Sequence, residues 1–167
     1  RQLLAISPKA RLLSVDYGKN PKDYQAAPIK ITFRYEIPDY ALKGEGEMFF
    51  RPMVMNNLYN QVRSYMWIDT SVENRKYGFK DACSRLVELD ETVQLPAGYK
   101  LVSAVKDETM QGVGADFEGS LVQKGNKVLL HNRLALKKRV YEASDWESFR
   151  NAVNAHKAYG EYLVIKK

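Results

Sequence analysis

The chain has 167 residues, of which 45% are hydrophobic and 28% charged, with a formal net charge of +6. That is enough apolar material for a domain with a buried core, and it excludes wholesale disorder. No apolar run approaches the length of a membrane span, and the lone Cys83 excludes an intramolecular disulfide framework or a thiolate zinc site.

The opening "RQLLAISPKA" lacks the basic start and long apolar core of a signal peptide, and it lacks an initiator Met. The expectation is a piece of a longer precursor or a processed product. Residues 1–27 read as an N-terminal tether or a first strand, ending in the loop-like "DYGKNPKDYQAAP". From residue 28 the chain reads as one β-sandwich domain. In "PIKITFRYEIP", Ile29, Ile31, Phe33, Tyr35 and Ile37 share one face, and Lys30, Thr32, Arg34 and Glu36 share the other. That period of two is what a sheet with one wet face requires. "DYALKGEG" follows as a turn, and "EMFFRPMVM" as a strand stopped or kinked by Pro52. "NNLYNQVRSYMWI", residues 56–68, reads as either helix or strand, with strand favoured by its β-branched and aromatic content.

"SRLVELDETVQLP" alternates again, with Val87, Leu89, Glu91, Val93 and Leu95 on one face. Glu91 interrupts that apolar face and predicts a bulge or an edge. Pro96 to Gly98 form a tight turn. "YKLVSAVKD" and "ADFEGSLVQ" are strands separated by Gly112 and Gly114, and Gly125-Asn126 is the tip of a two-residue hairpin. "KVLLHNRLALKKRV" is a long strand with Val128, Leu130, Leu134 and Leu136 on one face. Ser144 precedes Glu147 by three residues, the spacing of a capping box. Trp146, Phe149 and Val153 lie on one face of the helix that follows, with Ala152 and Tyr159 at its margin. Gly160 is placed to end it, and "EYLVIKK" resumes strand character. The fold class is mainly β: an antiparallel β-sandwich with one short C-terminal helix, then a last strand.

Chemistry is sparse. A thiol catalyst needs Cys with His nearby, and the chain offers Cys83, His131 and His156. No helix N-terminus stands behind Cys83 to activate it. His131 reads as wet-face and His156 as late in a surface helix, so an unreactive cysteine and two surface histidines is the expectation. Two distant His and no Asp-rich loop give no metal-ligand spacing, and no cofactor motif is present. Asp116 and Glu118 read as solvated strand charge. The basic residues are interspersed with acids, and the one tight cluster is Lys137, Lys138 and Arg139, so no nucleic-acid partner is expected. Phe33, Tyr35, Phe117, Trp146 and Phe149 read as core. Tyr59, Tyr65 and Trp67 are the candidates for an exposed aromatic binding surface.

The order of these motifs resembles a known family. The strand "PIKITFRYEIP" with its turn, the basic-aromatic "NRKYGFKD", the turn of Leu95, Pro96, Gly98 and Tyr99, and the closing helix with Asp145, Trp146, Phe149, Arg150 and Val153 carry it. They resemble the C-terminal β-domain of bacterial multidomain proteins with a transglutaminase-like, protease-like core. The resemblance spans residues 28–167 and its motifs are structural. It implies a non-catalytic accessory domain of an exported protein, periplasmic or at the cell surface. The upstream transglutaminase-like core of the same polypeptide would be its partner and would hold the catalytic residues. No catalytic residue carries over to this chain. The competing readings are a carbohydrate- or cell-surface-binding sandwich using Tyr59, Tyr65 and Trp67, and a small thiol enzyme using Cys83.

Overall fold

The computed structural model describes residue 4, residues 7–18, residue 22, and residues 30–53, 69–102 and 107–167. The segment 56–68, with Tyr59, Tyr65 and Trp67, lies outside the described residues, as do Ile29 and residues 103–106. The chain divides into two compact units, Arg1–Tyr40 and Ala41–Lys167. The sequence places its boundary at residues 27/28; contacts place it at 40/41, because the strand after residue 28 pairs with one before it.

In the first unit, β1 (Arg11–Asp16) pairs antiparallel with β2 (Thr32–Glu36). The register shifts between Leu12 and Ser14, so Leu13 is an extra residue. Leu12 stands opposite Tyr35 and Val15 opposite Phe33, which gathers the apolar side chains on one face of the ribbon. Phe33 and Tyr35 are half-buried, not core; their rings lie 5.7 Å apart on that face.

Among its described residues the second unit is mainly β, with several antiparallel sheets, a helix near the C-terminal end and a final strand. One four-stranded sheet contains β3 (Leu42–Lys43), β4 (Glu47–Phe50) and β7 (Lys100–Leu101), with β12 (Leu163–Lys166) between β4 and β7. Strand β4 stops two residues before Pro52, as a missing backbone donor requires. The short strands β5 (Phe79–Lys80) and β11 (Val140–Tyr141) pair with each other. The other four-stranded sheet has the order β6 (Arg85–Gln94), β10 (Lys127–Leu136), β9 (Ala115–Lys124), β8 (Glu108–Gln111). Strand β8 is not foreseen in the sequence, where "DETMQ" has no apolar alternation.

Three ten-residue strands give this sheet its long, unbroken registers. Of the two outcomes expected at Glu91, an edge and a bulge, the edge is found: β6 is an edge strand, and it stays in register with β10 throughout. Glu91 is tolerated on the inner face because its Oε1 accepts the Met53 backbone N–H at 2.8 Å. The Gly125-Asn126 hairpin joins β9 to β10 as expected. Gly98 adopts φ +84°, and the Tyr99 N–H donates to the Pro96 carbonyl, a type II turn with glycine where φ must be positive.

Helix α1 (Trp146–Ala158) packs on β9 and β10 of this sheet. Trp146, Phe149, Ala152, Val153 and Tyr159 are at most 2% exposed, and so are Val128, Leu134 and Leu136 beneath them. Glycine at 119 allows the approach: a Cβ there would stand 2.5 Å from Cζ of Tyr159 and 2.6 Å from Cζ of Phe117. Burial pushes the Tyr159 hydroxyl up to about 12. The capping box is displaced two residues from the predicted Ser144–Glu147 pair. The box of Glu142 and Asp145 closes the 3-10 turn Ala143–Asp145 that leads into the helix: the Glu142 N–H donates to the Asp145 carboxylate at 2.9 Å, and the turn's own backbone bond runs from the Asp145 N–H to the Glu142 carbonyl at 3.1 Å. Lys138 Nζ donates to both oxygens of Asp145 at 2.9 Å and so holds that carboxylate in place.

Candidate functional site

The three candidate thiol-enzyme residues are not assembled. Cys83 is exposed in the loop before β6. Arg85 to Asp90 spans about 17 Å of strand, and His131 pairs with the Asp90 end. His156 lies on the opposite face from His131. It is not the surface residue that its place late in the helix suggests. Its Nδ1 lies 2.6 Å from Oδ1 of Asn132, within hydrogen-bond distance. Asn132 is fully buried on the inner face of β10, between Leu130 and Leu134. Burial of the imidazole, with the Lys157 charge beside it, pushes His156 down to about 4. The ring is therefore neutral at pH 7.

The basic-aromatic "NRKYGFKD" and its flanks have a packing role. Trp146 Nε1 donates to the Val72 carbonyl at 3.0 Å, and Arg150 Nε to the Thr70 carbonyl at 2.8 Å. The Arg75 guanidinium sits 4.3 Å from the Trp146 ring centre and 4.7 Å from that of Phe79. Phe79 stacks on Tyr141 at 4.6 Å and meets Phe149 edge-on at 5.0 Å. These contacts fasten the segment 70–80 to the helix start. In the cluster 137–139, Lys137 Nζ pairs with Asp116 at 2.6 Å and Lys138 with Asp145. Two of its three cations are thus bound to carboxylates, and both carboxyls are held below the usual range by the hydrogen bond from their lysine. Asp116 is an ion-pair partner of Lys137 and not simply solvated charge.

The outer face of β6, β10 and β9 carries polar groups in rows. His131 stands between Asp90 and Ser120, and Arg133 between Glu88 and Glu118. His131 Nδ1 lies 2.8 Å from Asp90 Oδ1. Glu88, Asp90 and His131 each offer a ligand atom, and these atoms lie within 4.8 Å of one another. Beside them is an open depression of about 370 Å³, lined in part by Thr92, Ser120, Val122 and Leu129. Sequence reasoning misses this cluster because its members lie 41 residues apart. The only signal was the shared parity of Glu88 and Asp90 on one strand face.

A family model described as a domain of unknown function with solved structure, DUF3858, matches residues 46–164. The chain belongs to this family. No curated protein matches it at a significant level. A DUF3858-like fold recurs in a crystal structure titled "putative protease" from Parabacteroides distasonis, at 14% identity with a TM-score of 0.59. That similarity covers 74% of this chain and 24% of the Parabacteroides protein, so this chain matches about a quarter of it. No helix among the described residues is long and apolar enough to cross a membrane.

Proposed function

We propose that this DUF3858 chain is a non-catalytic accessory domain of a larger, exported protein with a transglutaminase-like, protease-like core. It supports or positions that core, or holds a partner for it. One observation carries this reading: the fold recurs as about a quarter of a much longer protein whose structure is titled "putative protease". Its own Cys83, His131 and His156 support it too, since they occupy a loop and two opposite sheet faces instead of one cleft. The apolar ribbon face of Leu12, Val15, Ile31, Phe33 and Tyr35 offers packing surface, since a two-stranded hairpin is marginal alone.

The test compares this chain with the full polypeptide read from its source DNA. The expectation is an export signal, a Cys…His…Asp core, and amide-bond cleavage or transfer by the full protein. The chain alone is expected to be inactive, and its removal should lower the stability or substrate affinity of the core. Turnover by the chain alone that is lost in Cys83→Ser would overturn the reading in favour of a thiol enzyme.

A further inference from the structure

We propose that Glu88, Asp90 and His131 form a binding site for a divalent transition metal of the zinc class. The proposal is independent of the accessory role, since it concerns one sheet face within this chain. Two neighbouring strands supply all three donors. Asp90 and His131 are direct cross-strand partners, and Glu88 lies two residues before Asp90 on the same face. Both strands are ten residues long and paired without a bulge, so the donors stand on rigid backbone.

The distances suit a small cation. The three ligand atoms already lie within 4.8 Å of one another. In a tetrahedral zinc site with bonds of about 2.0–2.2 Å, neighbouring ligand atoms stand about 3.3 Å apart. His131 Nδ1 and Asp90 Oδ1 are now 2.8 Å apart across a shared proton. A metal replaces that proton after an opening of about half an ångström. The longer Glu88 side chain covers the two-residue step along β6. An imidazole with two carboxylates selects zinc, nickel or copper over calcium and magnesium, which prefer all-oxygen sets.

Local charge permits it. Arg133 lies beside Glu88, but it is flanked on β9 by Glu118. Arg133 and Lys124, which lines the depression, thus stand against three carboxylates on this face, Glu88, Asp90 and Glu118. The depression bordered by Thr92 and Ser120 leaves the remaining coordination positions open to water or to a donor from a ligand.

The experiment uses tag-free chain stripped with a chelator. Zn²⁺ is titrated calorimetrically, and Co²⁺ is followed by its visible absorption. One metal per chain is expected, with binding weakened at least about tenfold in His131→Ala and in Asp90→Asn. Arg133→Ala should bind tighter, because it removes the guanidinium flanked by Glu88 and Glu118. Circular dichroism on the same samples checks that each variant is folded. Unchanged affinity in folded His131→Ala would place the metal elsewhere and overturn the proposal. So would the lack of saturable uptake by the parent chain, which would leave three exposed groups and no site.

Discussion

The two faces of β10 differ in almost everything except their backbone. On the inner face Val128, Leu130, Asn132, Leu134 and Leu136 are at most 3% exposed under or beside the helix. On the outer face Leu129, His131, Arg133 and Ala135 are half-exposed, and His131 and Arg133 stand opposite Asp90, Ser120, Glu88 and Glu118. Adjacent residues 131 and 132 thus meet opposite demands. Asn132 must find a partner inside, and finds His156. His131 faces solvent and finds Asp90. The inner face holds the fold together, and the outer face presents titratable groups to solvent.

That contrast can be broken. Phe149→Ala removes a fully buried ring from contact with Phe79, Tyr141 and Trp146. It should cost about 3–5 kcal/mol in urea unfolding. An effect near zero would mean that the helix does not form the core of the second unit.

The next effect is in pH. Folded His156 titrates near 4 against 6.5 for a free imidazole. Between these values the unfolded chain binds a proton that the folded chain refuses. Stability should therefore rise with pH from about 4 to about 6.5, by roughly 2–3 kcal/mol. His156→Gln should flatten that window. Asp116 and Asp145 act elsewhere: their lowered values withdraw stability only as pH falls below the free carboxyl value of 3.8. A slope that survives in His156→Gln would place its source in another group.

Gly119→Ala drives a methyl into Tyr159 and Phe117 and should cost about 1–3 kcal/mol by the same unfolding assay. A neutral result would mean that the helix end shifts without loss. Arg133→Ala on the outer face should change stability by no more than about 0.5 kcal/mol. A larger loss would show that the outer face also carries the fold.

Much of this was legible because it is local. The face of Trp146, Phe149 and Val153 follows from a 3.6-residue period, and the alternation along 127–136 from a period of two. The Gly125-Asn126 turn is a dipeptide signal. The errors fall where a residue's fate depends on something distant. Glu91 reads as a bulge or an edge; its strand is an edge, and the lack of a bulge is explained only by Met53, which supplies a donor 38 residues away. Ser144 reads as the cap until Glu142 and Asp145 are seen to close the turn before the helix, with Lys138 against that aspartate. His156 reads as a surface residue until Asn132 is found beneath it. Phe33 and Tyr35 have a core-like pattern, yet they belong to a two-stranded ribbon with only one partner strand.

The sequence by itself determined which segments alternate, where the helix lies and which of its faces is apolar, because those properties repeat within a few residues. Only the tertiary structure decided which strand lies beside which. Register is a choice among distant pairings that the alternation alone leaves open. That choice put Asp90 opposite His131 with Glu88 beside them, and set Asn132 under His156.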